Sequence, residues 1–470
     1  MTAVAAGLQS SDGFWSALSK LVNERHIVRD PEALLAFCKD ETPFLPPGHA
    51  CAAVFAQSTE QVSAIVRLCA EHGVGITPRG AGTGKSGGAV PVSNSLVLSL
   101  QPMNRILHID TQNLSAHVEA GVVLGDLQNA VAARGLYYPP DPASFRWCTI
   151  GGNVAENASG PSSVKYGCTR DYVLGLKCVL ASGDIVWCGK HTTKGVTGYD
   201  LTSLICGSEG TLALVTEVLL RLLPRPAARA TSLMGFASAK QAIDATCALL
   251  GGGILPVCIE LMDQGTLKAL VRSGMSPPFK LDPIAAALLV ECDGDTDAAV
   301  HEVMVRLASV AERAGACEVL VAQSEAERRA FWSLRHSLSE ATRRLAKHKV
   351  SEDIVVPRAQ LAEMVAYLKS LGERHGLQTC AFGHVGDGNV HAQVLFDDAS
   401  DQPRVEALLD ELFRKTVELG GTLTGEHGVG LAKMPYLALE QSNELLLLQQ
   451  RLKAAFDPKG TLNPGKFLPS

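Results

Sequence analysis

The sequence predicts an α+β protein with two domains behind a short helical segment. The chain has 470 residues, which is too long for a single hydrophobic core. A strand–helix–strand pattern begins at Cys51 and runs into clusters of glycine, whereas helices with strands between them fill the second half. Between the halves, residues 224–230 read PRPAARA, a stretch typical of a linker.

The composition is that of a globular protein with a large core. Hydrophobic residues make up 46% of the chain and charged residues 19%. The 42 Lys and Arg residues against 48 Asp and Glu residues give a formal net charge of −6. Nothing in this balance recruits nucleic acid or an anionic membrane, so we expect neither partner.

Targeting signals and cysteine spacing favour a cytoplasmic protein. No apolar run is long enough to span a bilayer, and the first residues, MTAVAAGLQSSDGFW, lack the pattern of a signal peptide. None of the 13 cysteines forms a C-x-x-C pair, which argues against iron–sulfur and structural zinc sites. We therefore expect reduced thiols in a cytoplasm.

The first elements follow from local spacing. Residues 12–40 have apolar residues at helical intervals, and TPFLPPGHA then breaks the pattern, which ends a helical segment at about residue 45. CAAVFA predicts a strand, and STEQVSAIVRLCAEHG predicts a helix capped by Ser58 or Thr59 with Gln61 in a capping box. VGITPRG predicts the next strand.

Two larger domains complete the prediction. The first spans residues 46–225 and includes LKCVLASGDIVWC, a hairpin that turns through Ser182, Gly183 and Asp184. The second spans residues 226–470 and mixes strands such as AAALLVECDG with helices such as PRAQLAEMVAYLKSLGERHG.

The first glycine cluster, PRGAGTGKSGGAVP, excludes two common nucleotide motifs. In a P-loop, the glycine required ahead of Gly84 falls on Arg79, and in G-x-G-x-x-G the last glycine falls on Lys85. So many glycines still bring backbone N–H groups close to a ligand, in a form that suits phosphate.

Two further clusters repeat this theme in the same domain. They read PPDPASFRWCTIGGNVAENASG and ICGSEGTLALVTEV, and the first adds stiff prolines and the amides of Asn153 and Asn157. Three glycine-rich segments in one domain imply one long ligand that is held largely by backbone.

These three segments resemble the FAD-binding domain of the vanillyl-alcohol oxidase and para-cresol methylhydroxylase (PCMH) superfamily. The resemblance implies a PCMH-type FAD-binding domain followed by an α+β substrate or cap domain, with the C-terminal tail returning to the FAD domain. No His or Cys lies between Pro78 and Pro91, so non-covalent FAD is implied, with a thioether at Cys148 less favoured. The implied FAD contacts are Pro78, Arg79, Gly80, Ala81, Gly82, Thr83, Gly84, Ser86, Gly87, Pro140, Asp141, Thr149, Ile150, Gly152, Asn153, Asn157, Gly160, Glu209, Gly210, Val215 and Asn463.

A histidine pair follows in the second domain, in GHVGDGNVH. If Asp387-Gly388 is a two-residue turn, His384 lies directly opposite His391, with Cβ atoms about 5 Å apart. Such a pair can chelate a metal ion, or it can be two ordinary histidines of a hairpin. TGEHGVG then supplies Glu426 as a third ligand and His427 for proton transfer, unless this segment is only an exposed loop.

Three segments resemble the FAD-linked 2-hydroxyacid dehydrogenases, namely HVGDGNVH, GEHGVGLAK and FDPKGTLNPGK. The resemblance covers nearly the whole chain from about Asp40. It implies that His384, His391 and Glu426 bind a divalent ion, zinc or manganese. The same resemblance implies that His427 is the catalytic base.

The substrate carboxylate needs a cation. Arg335 lies at the edge of the apolar stripe of FWSLRHSLSEATRR, and arginine suits bidentate binding of a carboxylate. The resemblance matches Arg335 and Lys349 to substrate contacts, with Ser339 and Gln393 beside them, although Lys349 can equally be ordinary surface charge. Gln393 replaces the Asn of many D-2-hydroxyglutarate enzymes, and Ala392 replaces the Pro of the glycolate subunit.

The resemblance therefore predicts an FAD-dependent dehydrogenase that oxidises a D-2-hydroxy acid, of the D-lactate or D-2-hydroxyglutarate type, to the 2-oxo acid. Electrons would pass to a quinone, an electron-transfer flavoprotein, a cytochrome or a partner subunit. The alternatives are an oxidase, a glycolate oxidase flavoprotein subunit and a non-redox FAD protein like alkylglycerone-phosphate synthase. A homodimer and a peripheral position at the inner face of the membrane stay open.

Overall fold

The computed structural model describes residues 12–92 and 95–469, so the predicted N-terminal segment is described only from residue 12. These residues form two compact units. Of the described residues, unit 1 contains those up to Ser159, then Cys168–Arg225 and those from Glu426 onward. Unit 2 contains Gly160–Gly167 and Pro226–Gly425.

Both units of the described chain are rich in strands. In chain order, the strands are β1 (Ile27–Val28), β2 (Ala50–Phe55), β3 (Ile76–Arg79), β4 (Ser95–Ser99), β5 (Ile106–Asp110), β6 (Ser115–Glu119), β7 (Leu136–Tyr137), β8 (Val173–Val179), β9 (Ile185–Gly189), β10 (Leu214–Arg221), β11 (Leu223–Pro224), β12 (Ala228–Phe236), β13 (Cys258–Asp263), β14 (Ala286–Gly294), β15 (Ala316–Val321), β16 (His348–Val355), β17 (Gln378–His384) and β18 (Asn389–Phe396).

The α-helices alternate with the strands. They are α1 (Asp12–Leu21), α2 (Pro31–Leu34), α3 (Thr59–His72), α4 (Leu124–Ala132), α5 (Ile150–Glu156), α6 (Ser163–Tyr166), α7 (Leu201–Ile205), α8 (Ala239–Gly251), α9 (Gln264–Arg272), α10 (Asp297–Arg313), α11 (Glu325–Arg343), α12 (Leu361–His375), α13 (Gln402–Glu418), α14 (Leu437–Glu440) and α15 (Asn443–Phe456). Within residues 12–92 and 95–469, none of them combines the length and the apolar composition needed to cross a bilayer.

Unit 1 is built on two main sheets. The first has the order β1-β2-β4-β3, in which β2, β4 and β3 are parallel and α3 makes the crossover. The second is the antiparallel sheet β5-β6-β10-β8-β9, and β7 pairs separately with β11. The predicted hairpin through Ser182–Asp184 is confirmed as the β8–β9 connection.

Helix α3 begins and ends where the sequence indicates. The Ser58 hydroxyl accepts the N–H of Gln61 at 3.2 Å, and Gly73 closes the helix in the left-handed conformation, with φ at 65°. The predicted capping box is wrong in one bond, because the Gln61 side chain accepts the N–H of Gln57 rather than that of Ser58. The apolar face of α3 packs with Phe14 and Leu18 of α1.

Unit 2 is a seven-stranded antiparallel sheet in the order β15-β12-β14-β13-β17-β18-β16. Its core joins β12, β13 and β14 to the apolar stripe of α11, including Phe331, Leu334 and Leu338. The predicted linker over residues 224–230 is wrong in its second half, since β12 begins at Ala228 and pairs with β14 along its whole length. The pairing with β14 and the burial of Ala228 override the proline signal there.

Candidate active site

A glycine loop follows β3 in unit 1 and forms one wall of an open cavity. Among the described residues, no protein acceptor faces the backbone N–H groups of residues 80–85. Gly82 has φ at 73°, and a Cβ there would lie 2.1 Å from Arg79 Nη2. Free N–H groups beside the cations of Arg79 and Lys85 suit the phosphates of a nucleotide cofactor.

The second wall is the start of α5. Thr149 caps this helix, with its hydroxyl accepting the N–H of Gly152 at 3.3 Å. Gly80 approaches so closely that a Cβ on it would lie 2.3 Å from Thr149 Oγ1. The buried amide nitrogen of Asn153 and the buried hydroxyl of Ser208 line the cavity, and neither atom has a hydrogen-bond partner among the described residues. Buried polar groups of this kind need a partner from a ligand or water.

The third wall comes from the segment that carries Glu209. This residue has φ at 51°, and its carboxylate accepts the N–H groups of Val429 at 2.6 Å and Gly430 at 2.8 Å. Asn463 donates to the carbonyl oxygens of Gly88 at 3.1 Å and Glu209 at 2.7 Å. The returning C-terminal segment thus fixes two walls of the cavity, and its Asn463 supports the cavity instead of lining it.

Glu156 and Glu209 lie side by side against Gly428. A Cβ on this glycine would lie 2.2 Å from Glu156 Oε2 and 2.8 Å from Glu209 Oε1. Burial raises the pKa of Glu156 well above its usual range, with the neighbouring Glu209 acting in the same direction. Burial also raises the pKa of Glu209 to about 7, against the hydrogen bonds from Val429 and Gly430. The cavity therefore has a weakly acidic carboxyl pair in its wall.

Most predicted FAD contacts line this cavity. Those that do are Pro78, Arg79, Gly80, Ala81, Gly82, Thr83, Gly84, Thr149, Gly152, Asn153, Glu209, Gly210 and Val215. Those that do not are Ser86, Gly87, Pro140, Asp141, Ile150, Asn157, Gly160 and Asn463. Two of the latter have clear reasons: Gly160 belongs to unit 2, and the Asn157 side chain accepts the N–H of Arg170 at 2.9 Å.

Several cavity residues were absent from the predicted FAD contacts, among them Lys85, Gly88, Glu156 and Ser208. Cys148, which the sequence offered only as a less favoured thioether site, also lines the cavity. Glu156 had a usable signal, because it is the single carboxylate within the glycine-rich segment GGNVAENASG. Burial raises the pKa of the Cys148 thiol, which disfavours the reactive thiolate. Non-covalent attachment of FAD stays a prediction.

His427 and Glu426 also belong to the wall of the unit 1 cavity. Their side chains lie close together, with His427 Nε2 3.7 Å from Glu426 Oε1. The next residues are held by the Glu209 carboxylate, which fixes the backbone that carries the imidazole. A base on this segment would work at the edge of the cavity that the cofactor residues define.

In unit 2, the histidine pair lies on β17 and β18, but the predicted register is wrong. Phe382 lies opposite His391, and a four-residue turn, Val385–Gly388, joins the strands in place of a two-residue turn. A shift of two residues keeps every side chain on its face, so the two imidazoles still meet. His384 Nε2 lies 3.4 Å from His391 Nε2, and both side chains are buried.

Glu260 of β13 orients this pair. Its fully buried carboxylate contacts His384 Nδ1 at 2.6 Å and accepts from Arg335 Nε at 2.6 Å. Burial acts to raise the pKa of Glu260, but Arg335 and His384 outweigh it and hold the pKa below its usual range. An ionised carboxylate on Nδ1 keeps the proton there and leaves the Nε2 lone pair for a metal, so these residues fit a metal site.

The predicted substrate residues also lie in unit 2. Arg335 stands over the Phe382 ring at 5.0 Å and is bound to Glu260, so it is part of the histidine network rather than a surface charge. Lys349 Nζ donates to the carbonyl of Ser339 at 2.8 Å and to its hydroxyl at 2.9 Å. Ser339 lies one turn after Arg335 on α11, so both face the same way.

Gln393 is fully buried on the same sheet face as His391. Its Nε2 donates to Ser351 Oγ at 2.6 Å, and its Oε1 has no protein partner among the described residues. A buried acceptor without a donor costs about 1–3 kcal/mol. Gln393 therefore offers a place for a donor from a ligand or an ordered water.

Comparison with known proteins matches both halves of the chain. Residues 50–189 match the model of the FAD binding domain, and residues 225–467 match that of FAD linked oxidases, C-terminal domain. The chain is 41% identical to the glycolate oxidase subunit GlcD of Bacillus subtilis over 88% of each chain. It is 36% identical to a D-lactate dehydrogenase of Anaerostipes hadrus, again over 88% of each chain.

A solved structure of p-cresol methylhydroxylase with substrate bound aligns with 96% of each chain at a TM-score of 0.81. The sequence identity of that pair is 18%, so this likeness shows the fold alone. It confirms the predicted PCMH-type fold.

Proposed function

The chain belongs to the FAD-linked oxidases, a family of FAD-dependent oxidoreductases, and from that premise we propose that it is a dehydrogenase of D-2-hydroxy acids. The product would be the 2-oxo acid, with D-lactate or a similarly small acid as the substrate type. The single observation that carries this proposal is the contact network of Glu260, His384 and His391. Glu260 contacts His384, and the Nε2 atoms of the two histidines face each other. Relatives named for D-lactate and glycolate support the substrate class.

FAD is proposed to bind in the unit 1 cavity, where it would accept the hydride equivalent from the substrate. The loop of residues 80–85 would hold the phosphates through its free N–H groups and the cation of Arg79. Asn153 and Ser208 would supply further hydrogen bonds, which would satisfy their buried polar atoms.

A divalent ion, zinc or manganese, is proposed to bind to His384, His391 and Glu426. Two imidazoles and one carboxylate are donors that both metals accept. Such an ion supplies positive charge that lowers the pKa of a substrate hydroxyl. Glu260 would keep His384 in the tautomer that coordinates, as the 2.6 Å contact at Nδ1 requires.

The remaining roles fall to charged and polar side chains. Arg335 would bind the substrate carboxylate through its terminal nitrogens, because Glu260 occupies Nε. Lys349, with Ser339, would add a second cation, and Gln393 would contact the rest of the substrate. His427 would take the hydroxyl proton at its imidazole nitrogen.

The proposal is tested by anaerobic bleaching of the bound flavin with a panel of D- and L-2-hydroxy acids. We expect bleaching by a D-isomer, whereas no bleaching by any acid would overturn the proposal. Rapid reoxidation of the reduced enzyme by O₂ would show that the protein is an oxidase and not a dehydrogenase. If the protein is a dehydrogenase, adding an electron acceptor other than O₂, such as a quinone, electron-transfer flavoprotein or cytochrome, should reoxidise the flavin and permit repeated turnover.

Two histidine variants test the assigned roles. His427→Ala should retain FAD but reduce it about 10²–10⁴-fold more slowly, while His108→Ala, on an exposed strand, serves as the control. His384→Ala should lose the metal, whereas His375→Ala should not, because His375 ends helix α12 and contacts Glu411. Undiminished flavin reduction or full metal content would reject the corresponding role.

The relative with 41% identity favours a second candidate, a glycolate oxidase flavoprotein subunit. The substrate would then be glycolate, and electrons would leave through a partner subunit. Turnover by the purified single chain with a soluble acceptor separates the two candidates. Flavin bleaching without turnover until a partner is added would favour the subunit.

A further inference from the structure

Helix α15 presents an apolar face that has no cover among the described residues. Leu445, Leu447 and Leu448 are 44%, 52% and 54% exposed, whereas Leu446 between them is buried. At about 100° per residue, Leu447 and Leu448 are neighbours on the outer side of the helix, and Leu445 lies beyond Leu448 at the edge of that side. Adjacent exposed leucines form a patch of the kind that marks an interaction surface, unlike a single exposed leucine. This patch lies wholly within unit 1.

The helix is held firmly on its inner side. Lys453 Nζ donates to the carbonyl oxygens of Thr211 at 2.7 Å and Leu462 at 2.8 Å. Ser442 caps the helix, accepting the N–H of Leu445 at 3.3 Å, and Gln450 donates to the carbonyl of Pro469 at 2.8 Å. The leucines are therefore displayed on a fixed element and lose little conformational freedom on binding.

The charges on the outer face are arranged symmetrically. At about 100° per residue, Glu444, Leu448 and Arg451 point in nearly the same direction, opposite to Leu446 and Lys453. Glu444 and Arg451 are both exposed and make no ion pair among the described residues. One acidic and one basic group thus flank the leucines, one at each end.

We propose that this face of α15 is a homodimer interface, formed by antiparallel packing against α15 of a second copy. If the two-fold axis passes between Leu447 and Leu448, Glu444 of each copy lies opposite Arg451 of the other. The leucines meet around the axis, as an isologous interface requires. The same pattern gives the face no net charge, which disfavours an anionic lipid surface as the occupant.

A single pair of helices covers less than the roughly 1,200–2,000 Å² of a standard stable interface. The dimer should therefore be weak, with a dissociation constant in the micromolar range, and visible only as a concentration-dependent equilibrium. Sedimentation equilibrium of the full-length FAD-loaded protein over a concentration series measures this directly.

Leu448→Asp should abolish self-association, and Leu35→Asp serves as the matched control, since Leu35 is 57% exposed in the same unit. Glu444→Arg and Arg451→Glu should each weaken the dimer at least about tenfold, because like charges then face each other. The double variant carrying both reversals should restore it, since the two charges exchange places. FAD content and thermal unfolding of each variant establish that it is folded.

Restoration by the double reversal supports the proposed geometry. A wild-type protein that stays monomeric throughout the series overturns the proposal, as does a dimer that survives Leu448→Asp. Failure of the double variant to dimerise, when both single variants are weakened, overturns the antiparallel pairing. None of these results depends on the hydroxy acid or on the metal, so they are distinct from tests of the proposed function.

Discussion

Replacing Glu260 by glutamine tests the carboxylate that orients the histidine pair. Glutamine has the same shape but carries no charge, so Arg335 loses its ionised partner in a buried position. Hydrogen bonds to charged groups contribute about 1.5–3 kcal/mol, and breaking a buried ion pair costs about 3–5 kcal/mol. Because one hydrogen bond to Arg335 can persist, we expect a loss in unfolding free energy on the order of 3 kcal/mol.

The effect on metal binding is more specific than the effect on stability. The amide nitrogen of the new side chain would donate to His384 Nδ1, which moves the imidazole proton to Nε2. A protonated Nε2 cannot coordinate, so metal affinity should fall about 10–100-fold. Elemental analysis and metal titration followed by chelator competition measure this fall.

Glu291→Gln provides the matched control. Glu291 is buried in the same sheet and accepts from Arg328 at 3.1 Å and Trp332 at 2.7 Å, but none of its hydrogen-bond partners among the described residues is a histidine. We expect this variant to lose stability and keep its metal. If Glu260→Gln binds metal as tightly as wild type, the orienting role of Glu260 is refuted. If Glu291→Gln loses metal to the same extent, the loss in Glu260→Gln results from destabilised folding and not from the orientation of His384.

Two further predictions concern the FAD cavity and pH. Gly82→Ala should weaken FAD binding about tenfold or more, because its φ of 73° disfavours a side chain and the new Cβ meets Arg79. Gly135→Ala shares the φ of 73°, but its new Cβ has no atom within 4 Å and Gly135 does not line the cavity, so this variant should bind FAD normally by fluorescence titration. Burial raises the pKa of Asp263 to about 6 from 3.8, so the stability it contributes is present at low pH and is lost as the pH rises through 6. Between pH 4 and pH 7, the unfolding free energy of wild type, measured by urea titration, should therefore fall by about 2 kcal/mol relative to that of Asp263→Asn. The variant also loses the hydrogen bond from Ala381, which shifts its stability by the same amount at every pH. Parallel pH profiles of the two proteins would contradict the prediction.

Much of the fold could be predicted because it depends on local patterns. The helical spacing around Phe331, Leu334 and Leu338 indicates both α11 and the face it buries. The glycine loop after β3 likewise indicates a backbone-lined cavity without any knowledge of the sheet. Such signals depend on neighbours within one or two turns, and they survive in the folded chain.

The missed features depend on residues that are distant in sequence. Glu260 lies 124 residues before His384, so no spacing rule links the two. Asn463 holds Gly88 and Glu209 from 375 and 254 positions away. The predicted hairpin register was wrong for a local reason. Asp387-Gly388 is a strong signal for a two-residue turn, but the strands are joined by a four-residue turn that contains both residues.

The order in which the segments of unit 1 occur along the chain has a consequence for synthesis. Leu462 is fully buried in the same core cluster as Phe14 and Leu18, and it bridges to Ile76. During synthesis, almost the whole polypeptide must therefore leave the ribosome before this core can close. Unit 2 can fold before the last segment of unit 1 has been made. An excised fragment of residues 46–225 would lack that segment and would need it supplied in trans to fold.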